Sequence, residues 1–195
     1  MNGFQLRREK KMEDILEAAF ELFSANGIKN VSITEIAEKA NVSRVSIYNF
    51  FGSKEKLVRQ SCFYFMDKIM KDLQLLVKSD LSFQEKFEKM FSISIESAND
   101  ISEDFYQSQF LKDPIVLEFL EEYKNNKSIP LLMDLIDQGK KEGYIDSELS
   151  SEAILLYINS INGVLQSNIS KKARLDLGKL FSYGLFGERG GTHTP

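Results

Sequence analysis

Apolar residues at helical spacing through nearly the whole chain, no stretch with the alternation of a strand, and only three prolines predict an all-α protein. Within that class, the stretch SITEIAEKANVSRVSIYNFFGSKEKL, Ser32 to Leu57, packs three helix-start signals into a short span. It predicts an N-terminal three-helix helix-turn-helix domain. The remainder predicts a larger C-terminal helical domain, for about nine or ten helices in all.

The elements follow in order. In EKKMEDILEAAFELFSANG, Met12, Ile15, Ala19, Leu22 and Phe23 share one helical face, and Gly27 is placed to end the helix. Ser32-Ile33-Thr34-Glu35 forms a capping box, in which the Ser32 hydroxyl serves the backbone three residues on and Glu35 reaches back. The second helix runs to Ala40, where Asn41 tolerates a left-handed turn and Ser43 caps a third helix. Gly52 breaks that helix, and Ser53 caps a fourth that continues through LVRQSCFYFMDKIMKDLQLLVK. Further helical periodicity covers residues of about 83–97, 104–111, 115–125, 129–141, 151–169 and 172–186.

Composition narrows the function. The 195 residues are 43% hydrophobic and 28% charged, which suits one or two globular domains. No apolar run reaches the length of roughly eighteen residues that a membrane span needs. Met1 to Lys11 lacks the apolar centre of a signal peptide, so a cytoplasmic location is expected. The single cysteine, Cys62, excludes an intrachain disulfide, and its spacing from Phe65, Met66 and Ile69 suits a small core residue. The only histidine, His193, lies in the terminal GERGGTHTP, whose composition suggests a flexible tail over 188–195. A Ser-His or Cys-His dyad, a HExxH motif and a Cys/His zinc cluster are therefore not expected inside a folded domain. Glu103 with Asp104 and Glu121 with Glu122 point in different directions on a helix, which argues for solvated faces over paired catalytic acids. No catalytic residue, metal site or cofactor is expected.

Charge divides the chain. Residues 1–60 hold ten basic and eight acidic side chains, whereas residues 61–195 hold fifteen and twenty-one. So slight a basic excess identifies no nucleic-acid binder by itself; placement decides. The two short helices after Ser32 bury little alone and must be held by Ile36, Ala37, Ala40, Val42, Ile47 and Phe51. Ala37 is small at a helix crossing, Asn41 follows at the turn, and Ile47 plugs the core from the next helix. This is helix-turn-helix spacing, although any three-helix bundle needs similar caps and a small crossing residue.

Residues Gly27 to Leu57 resemble the N-terminal domain of the TetR/AcrR family of bacterial transcriptional regulators. The resemblance rests on Ile36-Ala37, the turn Ala40-Asn41-Val42-Ser43, Tyr48 two residues after Ser46, and Phe51 followed by Ser53-Lys54. Asn41 stands where that family usually has glycine, and Phe50 and Gly52 where histidine and proline are common. The resemblance implies a DNA-binding domain over 1–53, a ligand-binding and dimerisation domain over 54–187, and phosphate contacts near the helix starts.

Helix N-termini carry unpaired N–H groups and a positive dipole end, natural seats for phosphate. Ser32, Thr34, Ser43, Tyr48 and Lys54 suit backbone contacts. Arg44, Val45, Ser46 and Asn49 are free of core duty and can reach base edges, Arg44 toward guanine, Asn49 toward adenine and Val45 toward a thymine methyl. Arg7, Arg8, Lys10 and Lys11 form a basic arm that either follows the minor groove or is a disordered start.

In the C-terminal part, SEAILLYINSINGVLQSNI and LGKLFSYGLF are apolar around much of their circumference, which asks for burial on more than one side. A second copy would bury them as a four-helix interface through Ser160, Gly163, Ser167, Leu180, Phe181 and Gly184. Phe65, Met66, Phe87, Phe91, Phe110, Tyr123 and Tyr157 are candidates to line an apolar effector cavity, although aromatic stripes at helical spacing more often pack a core. The function expected is a homodimeric regulator that binds a palindromic double-stranded DNA operator, is released by a small hydrophobic effector, and has no membrane partner. The alternative is a helical interaction module with a vestigial helix-turn-helix.

Overall fold

The computed structural model describes residues 3–99, 101–165 and 169–186. Among them are ten α-helices and no strand: α1 Gly3–Asn26, α2 Ile33–Lys39, α3 Arg44–Phe51, α4 Lys54–Lys78, α5 Phe83–Asn99, α6 Glu103–Tyr106, α7 Pro114–Tyr123, α8 Ile129–Lys141, α9 Ser151–Leu165 and α10 Lys171–Phe186. The all-α class is the one observed. Ser167, His193 and the tail over 188–195 lie outside the described residues.

Three segments depart from expectation. The basic arm is neither extended nor irregular, because α1 already begins at Gly3. No proline or glycine interrupts Phe4 to Asn26, and Lys10 pairs with Asp14 one turn on at 2.8 Å. The helix expected over 104–111 is split into the one-turn α6 and a 3-10 turn at Gln109–Lys112. Ser102 caps the first, accepting from the Phe105 amide at 3.3 Å, and Pro114 holds Asp113 extended after the second. Finally, α7 and α8 run together through a π-helical turn at Lys124–Ser128. Pro130 has no N–H for the helical ladder, and a wider turn beside it absorbs that loss.

The helices form two compact units, one of residues 1–71 and 100–121, the other of 72–99 and 122–195. In the N-terminal unit, Ile15, Phe23, Ile36, Ile47, Phe51 and Leu57 make the core. Phe105 from α6 is buried among them. The strap that carries it is fixed by three polar contacts. The Ser102 amide donates to the Ser24 carbonyl at 2.7 Å, Asn30 Nδ2 to Asp104 Oδ2 at 3.2 Å, and Arg59 pairs with Asp113 at 3.1 Å. Gly27 serves twice here. Its φ of 79° is left-handed, and a Cβ would sit 2.7 Å from the Asp104 Cβ. Cys62 is a core residue, its thiol pushed up to about 12 by burial and so not nucleophilic.

In the C-terminal unit, Phe83, Phe87, Leu135, Ile136, Ile158 and Phe181 pack together. Lys86 is buried, and its ammonium donates to the Val77 carbonyl at the end of α4 (2.8 Å) and to Gln138 Oε1 on α8 (2.9 Å). The Gln138 amide in turn donates to Glu142, which also accepts from the Phe83 amide at 3.1 Å. Those two hydrogen bonds hold the Glu142 carboxyl below its ordinary range. Gly139 lets the ring of Phe83 approach, since a Cβ there would lie 2.7 Å from it.

If the strap completes the N-terminal core, Phe105→Ala should destabilise that unit by about 3–5 kcal/mol, as removal of a buried ring usually does. Urea denaturation followed by far-UV circular dichroism measures this. A cost under about 1 kcal/mol, the size of an ordinary surface effect, would make the strap peripheral.

Candidate DNA interface

The turn between α2 and α3 is built by local chemistry. The Ser32 hydroxyl accepts from the Glu35 amide at 3.2 Å while Glu35 Oε2 accepts from the Ser32 amide at 2.7 Å, so the capping box is complete. At the far end, the Asn41 amide donates to the Glu38 carbonyl at 3.1 Å and the Val42 amide to the Ala37 carbonyl at 2.9 Å. This Schellman closure needs one left-handed residue, and Asn41, with φ 52°, supplies it. Ser43 then caps α3 by accepting from the Ser46 amide at 3.1 Å.

Within α3, Ile47 and Phe51 turn into the core. The other face is open: Arg44 and Asn49 are exposed, as are Val45 (66%) and Tyr48 (51%). Ser46 is half-buried, its hydroxyl 2.9 Å from that of Ser43. Thr34 is exposed in the first turn of α2. Ser53 caps α4, accepting from the Lys56 amide at 3.3 Å. Lys54 is less free than its sequence position suggests: it is half-buried, its ammonium 5.8 Å from the centre of the Phe23 ring. A serine hydroxyl can accept a cap hydrogen bond and still donate its own proton, so capping leaves Ser32 able to bind a phosphate oxygen.

Two carboxylates help to form these helix starts. Glu35 is held below the ordinary glutamate range, first by the Ser32 amide and then by the Ser32 hydroxyl. Glu55 is lowered by a hydrogen bond from its own amide and by Ser53. Phe50, which the sequence marked only as a departure from a family pattern, carries the guanidinium of Arg8 over its ring at 5.3 Å. The signal was the spacing of Phe4, Arg8 and Lys11 on a helix that starts earlier than expected.

Residues 15–60 match the family model of bacterial regulatory proteins, tetR family. The match covers the segment that holds α2 and α3. Its relatives are distant. The HTH-type transcriptional repressor KstR2 of Mycobacterium tuberculosis (strain CDC 1551 / Oshkosh) is 24% identical over 157 residues, covering 77% of this chain and 77% of that protein. Among solved structures, the TetR transcriptional regulator SCO0520 from Streptomyces coelicolor has a TM-score of 0.66 at 19% identity, covering 90% of this chain and 98% of that one. FadR from Bacillus subtilis in complex with stearoyl-CoA has a TM-score of 0.54 at 19% identity, covering 89% and 98%. At such identities the structural likeness establishes the fold.

Elsewhere in the chain the candidate residues separate. Phe87, Phe91 and Tyr157 come together around Phe181 in the C-terminal unit, with ring centres 5.6, 6.3 and 5.3 Å from it. Tyr123 is buried in the same unit, under the ammonium of Lys127 at 4.4 Å. Phe65, Met66 and Phe110 belong to the N-terminal unit, where Phe65 stacks on Phe20 at 3.8 Å and Phe110 packs beside Phe105. Of the residues expected at a dimer interface, Ser160, Gly163, Leu180 and Gly184 are exposed. Phe181 is not: its own unit buries it, so its apolarity requires no second copy.

The capping box should make the α2–α3 region sensitive to acid. The Glu35 carboxyl titrates lower in the folded chain than in the unfolded one, so its contribution is full above about pH 4.3, the unperturbed value, and is lost as pH falls through the folded value. Denaturation midpoints from pH 7 to 3 should therefore fall less for Glu35→Gln than for the parent. Ser32→Ala should cost about 1 kcal/mol at neutral pH. Identical acid profiles for parent and Glu35→Gln would show that the box adds nothing.

Proposed function

We propose that this chain is a dimeric transcriptional repressor that binds a palindromic operator and leaves it when a small hydrophobic molecule occupies the C-terminal unit. The observation that carries the reading is the exposed face of α3, Arg44, Val45, Tyr48 and Asn49, flanked by three helix starts whose caps are serines. Such a surface offers base-reading side chains in the middle and backbone N–H groups and hydroxyls around them. Regulation rather than catalysis is the role, and the cytoplasm, where the operator lies, is the location.

The apolar effector is supported by the aromatic cluster of Phe87, Phe91 and Tyr157, which we take as the wall of its site. FadR from Bacillus subtilis, similar in fold, was solved with stearoyl-CoA, a ligand whose acyl chain is apolar. Helix α4 contributes residues to both units, from Lys54 beside the reading head to Lys78, whose neighbour Val77 is held by Lys86. An effector that alters packing around Lys86 would thereby tilt α4 and change the spacing of two reading heads, which must sit about 34–36 Å apart or a multiple of that. Coupling of this kind is typically about 1–3 kcal/mol.

Dimerisation through α9 and α10 is supported by exposed apolar residues on both, Leu156 and Val164 on the first and Leu175 and Leu180 on the second. Gly163 is a clean probe, because a Cβ there meets nothing within 4 Å in its own chain. Gly163→Phe and Leu180→Glu should yield monomers by sedimentation velocity with normal melting curves. Retained dimers for both would move the interface elsewhere.

The DNA assignment is tested with a duplex selected by the protein from a randomised library. Lys54→Ala should weaken selected and random duplexes about equally, whereas Arg44→Ala and Asn49→Ala should relax choice at particular base pairs, each costing about 1–3 kcal/mol. Equal weakening on both duplexes for all three would remove α3 as the reader, and no enrichment at all would favour a helical interaction module.

A further inference from the structure

Beside the reading face, the N-terminal unit contains a groove of about 490 Å³. Its first wall is α1, with Phe4, Arg7, Arg8 and Lys11; its second is α3, with Ser46, Asn49 and Phe50. Phe4, Arg8 and Lys11 lie at positions i, i+4 and i+7, one stripe of the helix, and Arg7 sits one turn before Lys11. The Arg8 guanidinium lies over the Phe50 ring at 5.3 Å, a contact that ties the two walls together.

The charge in this groove is unbalanced. No acidic residue lines it. Lys10, which points elsewhere, is neutralised by Asp14 at 2.8 Å, whereas among the described residues neither Arg7 nor Lys11 has an acidic partner. Two unpaired cations facing a cleft attract a multiply charged anion, and a volume of about 490 Å³ has room for a sugar–phosphate unit. Its second wall decides which anion. Asn49 belongs both to the groove and to the exposed face of α3, so a DNA strand followed by α3 passes the mouth of the groove.

We infer that Arg7 and Lys11 clamp the phosphates of the strand that passes α3, so that the first helix is a second, sequence-independent hold on DNA. The inference rests on the DNA-binding reading above. The contact of Arg8 with Phe50 holds the two walls to each other. Because binding a phosphate releases counterions, each phosphate so held adds about 0.9 to the slope of log affinity against log salt.

The test uses the full chain, the duplex selected from a randomised library and a random duplex of equal length, with binding read by fluorescence anisotropy over about 50–200 mM salt. Arg7→Gln with Lys11→Gln should lower affinity for both duplexes about tenfold or more and make the salt slope shallower by about 0.9 for each phosphate no longer held. The order of base preference should stay as in the parent. Lys71→Gln with Lys89→Gln, two exposed lysines outside the groove, should leave the slope unchanged. A parent slope retained by the Arg7/Lys11 variant overturns the clamp while leaving α3 as the reader. A parent that binds neither duplex overturns both.

Discussion

The burial of Ile36, Ile47 and Phe51 is the constraint on which the molecule depends. Helices α2 and α3 have seven and eight residues, too short to persist alone in water. They stay helical because those three side chains enter a core shared with Ile15, Phe23 and Leu57, and Phe105 from the strap closes it. The exposed side of α3 is thereby held in one orientation. A reading surface has to be rigid before it can discriminate, and here the rigidity comes from the side of the helix that DNA would never touch.

Local chemistry made the helix-turn-helix visible in the sequence. Ser32, Ser43 and Ser53 act within four residues of themselves, as does Asn41 at the turn, so their roles follow from spacing alone. Long-range partners were not visible. Nothing around Phe105 says that it enters a core built by helices far from it in the chain, and nothing around Lys54 says that its ammonium rests over Phe23. The groove beside α3 was hidden for a different reason. Its α1 wall depends on a helix that starts at Gly3, ahead of the stretch EKKMEDILEAAFELFSANG whose pattern marked it.

The last two helices show the same division. Their apolar character was plain, and it marked them as helices. Which residue faces which way was not. Leu180 and Phe181 are adjacent, and a difference of one position sends Phe181 into its own core and Leu180 to the surface. Gly178 explains part of the choice: a Cβ there would overlap the Phe91 ring, so α10 is seated close to α5 on that side. In the same way the aromatic residues proposed for one cavity sort into two units, since stacking on Phe20 is as good a use for Phe65 as a ligand would be.

Hydrogen exchange, measured on the free chain and on the chain bound to its selected duplex, tests most directly whether the helix starts and α3 form the DNA surface. The account predicts that amides in Ser32–Glu35, Arg44–Ile47 and Lys54–Lys56 exchange more slowly on binding, because DNA covers the ends at which these helices would otherwise fray. Amides of α9 and α10 should be unchanged by DNA at a fixed protein concentration. Protection confined to other elements, with these three helix starts exchanging as fast as in the free chain, would contradict it.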